Sequence, residues 1–128
     1  MPLASYRDLR VWQDAMALAE SCYELTRCFP KDELFGLTSQ IRRAAASVPA
    51  NIAEGYGCYH YEDNRQFQFY ARGSLEESWH WLRRARHRKL LSEPRHQDFK
   101  GKVSELAPQL NAYIRTRGRK AKHKWPKS

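Results

Sequence analysis

Apolar residues recur along the chain at helical intervals and nowhere alternate as in a half-buried strand, so an all-α fold is expected. Four segments carry the pattern. In the first, residues 6–28, Leu9, Trp12, Met16, Ala19 and Tyr23 line one face. Val11, Ala15, Leu18, Cys22 and Leu25 line a neighbouring face, while Arg10, Gln13, Asp14, Glu20 and Glu24 fill the rest. An apolar arc this wide predicts contact with two neighbours. Pro30 stops the helix, and KDELFG makes the turn.

The second segment starts between positions 33 and 38 and contains IRRAAASVPANIAEGYG, residues 41–57. At about 100° per residue, Ile41, Ala44, Ala45, Val48 and Ile52 share one apolar sector. Ala46, Ala50, Ala53 and Gly57 form an opposite stripe of small residues that permits close backbone approach, within the chain or between subunits, so packing on both faces is expected. Arg43, Ser47, Asn51 and Glu54 fill one flank, and Arg42 and Pro49 the other. Pro49 removes an N–H, leaves the Ala45 carbonyl without its helical partner, and predicts a kink.

A third helix is predicted from Asp63 to about residue 91, DNRQ resembling a capping box. Its core stripe reads Phe67, Tyr70, Ala71, Ser74, Leu75, Ser78, Leu82 and Ala85, joined by Trp81; Phe69 and Trp79 fall off it, available to a partner or a nucleobase. Ser92 should cap a fourth helix with core positions Phe99, Val103, Leu106, Leu110, Tyr113 and Arg117, which Pro108 should kink or restart. Short connections between long helices favour antiparallel neighbours, so the expectation is an up-down-up-down four-helix bundle over residues 1–114 with a kinked second helix.

Charge adds a second feature. Of a formal net charge of +9, residues 115–128 (RTRGRKAKHKWPKS) carry seven Lys or Arg and no acid, leaving +2 on residues 1–114. This basic C-terminal tail and the run RRARHRK, residues 83–89, suit polyanions. Arg83, Arg84, Arg86, Arg88 and Lys89 are therefore candidate phosphate contacts on the third helix, with Arg115, Arg117, Arg119, Lys120, Lys122 and Lys124 in the tail. Arg42 and Arg43 are secondary candidates.

Other chemistry is thin. With 128 residues, 41% hydrophobic, one folded domain is expected. There is no signal-peptide core and no apolar run near the ~20 residues of a membrane span. The three cysteines, Cys22, Cys28 and Cys58, are odd in number and lack CxxC spacing, which suits reduced thiols in a cytoplasmic protein. Glu77–His80 and Glu93–His96 have ExxH spacing, as in di-metal bundles, but no inward pair of further glutamates accompanies them. GYG at residues 55–57 follows a helix and reads as its C-terminal cap, with Gly57 as the capping residue. Cys58 and His60 have no third group to orient a base. The expectations are no catalytic residues, no metal, no cofactor and no small-molecule substrate.

The order of motifs carries a resemblance. SYRDLRVWQDAMALA, then FPKDELFGLTSQIRRAAASVPANIAEGYG, then FYARGSLEE resembles the four-helix-bundle family named for proteins encoded in intervening sequences of bacterial large-subunit ribosomal RNA genes, over about residues 5–91. LTSQIRRAAASVPANIAEG is its most specific part. The resemblance implies a homopentameric, barrel-like assembly with basic surfaces and no catalysis. It also implies kinship with the accessory variability determinant of diversity-generating retroelements, which partners a reverse transcriptase and binds nucleic acid. Trp12, Arg42, Arg43, Pro49, Asn51, Glu54 and Gly55 match the family motif, mainly as structural residues. Ser78 and Trp79 stand where the family usually has Leu and Glu.

Overall fold

A computed structural model describes residues 5–58 and 60–124, with side chains left aside at 61 and from 117 onward. The described residues are all-helical, with no strand and with four α-helices: α1 (Arg10–Thr26), α2 (Ser39–Tyr56), α3 (Tyr61–His87) and α4 (Glu93–Lys124). A 3-10 turn, Tyr6–Asp8, leads into α1, the Arg7 amide donating to the Ser5 hydroxyl as its cap. Between α1 and α2 lie a 3-10 turn, Lys31–Glu33, and a π-type turn, Leu34–Thr38, interrupted by non-helical torsions at Gly36. No helix among the described residues is long and apolar enough to cross a membrane.

Helix α2 packs on α1 and α3, and α4 packs on α3 and α1. Val11, Ala15, Leu18, Cys22 and Leu25 give α1 its buried face, while Leu9, Trp12, Met16 and Ala19 are half-buried and Tyr23 is exposed. The predicted sector of α2 is buried throughout, joined by Pro49 and Gly55. The helix runs unbroken through Pro49. Its small-residue stripe is not covered within the chain: Ala46, Ala50 and Gly57 are exposed and Ala53 half-buried, so α2 packs on one side only.

Helix α3 departs most from its sequence pattern. It starts two residues before Asp63, which lies in the first turn rather than at the cap. Its buried stripe is Asn64, Gln68, Ala71, Leu75, Ser78, Leu82 and Ala85, a regular alternation of four and three residues. Tyr70 is 51% exposed and Phe67 half-buried. Two amides replace two rings because α2 offers a glycine there. A Cβ on Gly55 would lie 2.4 Å from Gln68 Nε2 and 2.9 Å from the Asn64 carbonyl oxygen. Gln68 Nε2 donates to the Ile52 carbonyl at 3.2 Å and to Asn64 Oδ1 at 3.0 Å. Burying an amide is tolerable only with such partners.

Helix α3 also ends earlier than expected, at His87. The Leu90 amide donates to the Ala85 carbonyl at 2.9 Å, and the Lys89 amide to the Arg86 carbonyl at 3.0 Å. Lys89 has φ 63°. This is a Schellman ending with lysine in the left-handed position that glycine usually fills. Gly57, by contrast, caps α2 with φ −76°, so its role needs no positive φ.

Helix α4 begins as predicted, the Ser92 hydroxyl accepting from the Arg95 amide at 3.4 Å. Phe99, Leu106, Leu110 and Ile114 are its buried positions; Val103 and Tyr113 are half-buried. The predicted core position Arg117 lies outside the described side chains. The helix does not restart at Pro108 but continues to Lys124, which places residues 115–124 on the same helix as the body. Pro108 and Ser104 are both exposed, so water can reach the Ser104 carbonyl that the proline deprives of its partner.

Candidate nucleic-acid interface

The basic run on α3 separates into two groups. Arg86 and Arg88 lie at the C-terminal end of α3 and are engaged there. Arg86 Nε donates to Glu93 Oε2 at 3.0 Å and Arg86 Nη1 to the Leu91 carbonyl at 3.2 Å, clamping the α3–α4 turn. Arg88 Nη1 donates to Glu33 Oε2 at 3.1 Å, across to the turn before α2. Lys89 is exposed within the Schellman ending.

Arg83 and Arg84 point outward with no acidic partner among the described residues, and His80 and His87 flank them. Positions 80, 83, 84 and 87 share one helical face. Together they line an open depression of about 390 Å³. The two histidines are additions to the sequence reading; their i, i+7 placement around two arginines was the signal available.

Arg42 and Arg43 are joining elements. Arg42 Nε donates to Thr26 Oγ1 at 2.7 Å, and its guanidinium lies 4.2 Å from the centre of the Tyr23 ring, fastening α2 to α1. The Thr26 hydroxyl in turn reaches the carbonyls of Cys22 and Tyr23, both at 3.0 Å. Arg43 pairs with Glu77 on α3 and donates to Gln40 Oε1 at 2.7 Å. Arg115 is exposed. The side chains of Arg117, Arg119, Lys120, Lys122 and Lys124 lie outside those described.

The other candidate chemistry resolves into packing. Glu77 accepts from Trp81 Nε1 at 3.1 Å as well as pairing with Arg43; these bonds hold its carboxyl below the ordinary carboxylate range, against a smaller opposing effect of burial. Glu93 is held low by Gln97, at 2.9 Å, and by Arg86. No group of three or more His, Cys, Asp or Glu able to hold a metal occurs among the described residues. Burial pushes the Cys22 thiol up to about 12; desolvation, Asp63 and Glu54 raise that of Cys58. Trp79 is half-buried and stacks on His96, centroids 5.1 Å apart. Phe69 is half-buried too, with Arg65 at 5.3 Å and Arg72 at 4.9 Å from its ring centre. Both rings thus already pack against neighbouring side chains.

The motif residues of α2 are structural in the same sense. Asn51 Nδ2 donates to the Ser47 carbonyl at 2.8 Å and to the Ser47 hydroxyl at 2.9 Å, and the Ser74 hydroxyl bonds that of Ser47 at 2.8 Å across to α3. Trp12 packs edge-on against Tyr6, 5.2 Å between centroids.

These features define an all-helical protein in which α2 joins α1 to α3 and α3 carries an outward basic face. Residues 7–112 match the family described as 23S rRNA-intervening sequence protein, and the chain belongs to that family. No curated protein matches it.

Proposed function

We propose that the protein is a non-enzymatic, homo-oligomeric accessory protein that binds RNA or DNA through phosphate contacts. The observation that carries the reading is the outward cluster of His80, Arg83, Arg84 and His87, whose arginines have no acidic partner among the described residues. Uncompensated guanidinium groups on one helical face neutralise phosphates without reading sequence. Arg115 and the cationic positions beyond it extend the charge.

An up-down-up-down antiparallel bundle is the scaffold in this reading. Its support is the order of cross-helix partners. Arg43, Ser47 and Ile52 of α2 meet Glu77, Ser74 and Gln68 of α3, and Arg72 and Arg86 of α3 meet Asn111 and Glu93 of α4. A pentameric state and a reverse-transcriptase partner rest on the family resemblance alone.

The test is salt-dependent binding. Labelled RNA and DNA should bind in about 50 mM salt and lose most affinity by about 300 mM, and an Arg83→Ala/Arg84→Ala variant should lower the slope of log affinity against log salt by about two. No binding in low salt, or a wild-type slope in the variant, would sink the proposal. A second reading, an interaction module whose charge only aids solubility, draws on the exposed Phe35. Under it, deleting residues 115–128 would leave every partner interaction intact.

A further inference from the structure

We propose that the outer face of α3 takes up protons at His80 and His87 when it binds phosphates, so that its affinity for nucleic acid rises as the solution is acidified. The inference rests on the polyanion-binding reading above and assigns a regulation to that same site.

His80, Arg83, Arg84 and His87 are all exposed and line one open depression. At about 1.5 Å per residue the two histidines stand about 10 Å apart along the helix, one at each end of the arginine pair. Arginine stays charged throughout the physiological range, whereas histidine ordinarily changes charge between about pH 5 and pH 8. The face therefore carries two fixed charges and two conditional ones. A phosphate seated between them favours the charged imidazole over the neutral one. Proton uptake and phosphate binding then strengthen each other by the same factor.

The neighbouring groups leave the histidines to this task. The His80 ring packs edge-on against Trp81, centroids 4.8 Å apart, and Trp81 Nε1 donates to Glu77 at 3.1 Å, so the imidazole is held in place. Glu77, three residues before His80, is taken by that bond and by Arg43 of α2. Glu93 of α4 is held by Arg86, and Glu33 of the turn before α2 by Arg88. His96 of α4 stacks on Trp79, about 100° round the helix from His80. Beside the pair along the chain stand Glu76, one turn before His80, and Lys89, two residues after His87, both exposed. Neither histidine has an ion-pair partner among the described residues. A single exposed carboxylate, Glu76, faces Arg83, Arg84 and Lys89, so the face stays cationic and an incoming anion is the partner that a protonated imidazole meets.

Binding of a 5′-hydroxyl RNA carrying a pH-insensitive fluorophore, followed by anisotropy in low salt, tests the coupling. Its phosphodiesters keep one charge each across this range, so a change in affinity comes from the protein. Wild type should bind about 3–10-fold more tightly at about pH 6 than at about pH 8. Its slope of log affinity against log salt should be steeper in acid by up to about two. His80→Gln/His87→Gln should lose the response and bind in acid as wild type does in base. His80→Lys/His87→Lys should bind in base as tightly as wild type does in acid. Both substitutions fall at exposed helical positions, so helical circular dichroism should be unchanged. His60→Gln/His123→Gln, which leaves the pair in place, should keep the response. A wild-type affinity indifferent to pH, a response that survives in the glutamine variant, a lysine variant no tighter than wild type in base, or a response lost with His60 and His123 would overturn the inference and leave the phosphate-binding reading standing. No RNA binding at either pH would overturn both.

Discussion

Gly55→Ala is a sharp test of the packing between α2 and α3. In a helix interior, alanine is ordinarily favoured over glycine by ~1 kcal/mol. At Gly55 the added Cβ would stand 2.4 Å from Gln68 Nε2 and 2.9 Å from two oxygens of Asn64. One of those oxygens is a backbone carbonyl, which cannot rotate away. Forcing an extra methyl into a filled site costs about 1–3 kcal/mol. Displacing Gln68 also breaks its bond to the Ile52 carbonyl, and an unpartnered buried polar group costs about 1–3 kcal/mol. After the alanine gain is subtracted, a net loss of about 1–5 kcal/mol, centred near 3, is expected. At about 3–6 °C per kcal/mol for a chain of this size, the central value lowers the melting temperature by about 10–20 °C. Gly73 and Gly101 are the controls: both are helical, and a Cβ on either meets nothing within 4 Å. Gly73→Ala and Gly101→Ala should each gain about 0.5–1 kcal/mol. Urea and thermal unfolding followed by circular dichroism, at one protein concentration, compare the three. A Gly55→Ala variant as stable as Gly73→Ala would refute the close approach.

Lys89→Gly should raise stability by about 0.5–1 kcal/mol, because it relieves a left-handed lysine at the end of α3; a loss in urea unfolding would contradict the Schellman geometry. Native alkylation at mildly alkaline pH, read by mass spectrometry, should modify the exposed Cys28 first, then the half-buried Cys58, and leave Cys22 unmodified, its thiol being fully buried and pushed up to about 12; early labelling of Cys22 would count against the α1 packing. Glu77→Gln should cost ~0.5–1 kcal/mol at neutral pH as a surface pair is lost. Because the folded carboxyl of Glu77 is lowered from 4.5, its contribution is present above that value and is lost as pH falls below it, so wild type and variant should converge in acid; a gap independent of pH would show that charge is not the cause.

How much of this was legible beforehand differs by helix. The inner face of α1, the sector of α2 and three of the four buried positions of α4 follow from apolar spacing alone. Asn64 and Gln68 did not, because amides read as surface residues and the ring of Phe67 lay one position from Gln68. The information was present in another form: positions 64, 68, 71, 75, 78, 82 and 85 keep a strict four-three rhythm, and Gly55 opposite them gives the amides room. The end of α3 was hidden because a lysine occupies the usual place of glycine. Which arginines are taken was hidden more deeply. The partners of Arg88 and Arg43 lie 55 and 34 residues away, and no local pattern announces such pairs.

The placement of these arginines also bears on how assembly and binding could coexist. Helices α2 and α4 each pack on both α1 and α3. Arg42, Arg43, Arg86 and Arg88 spend their charge on contacts within the chain, whereas Arg83 and Arg84 keep theirs. Phosphate contacts by a single such face are few, and each is weak in physiological salt. In the proposed homo-oligomer, repeating the face would make every contact after the first effectively intramolecular and raise affinity without any new residue. The same reasoning explains why a chain with only +2 on residues 1–114 could still hold a polyanion: what counts is the density of uncompensated cations on one repeated face, not the sum over the body.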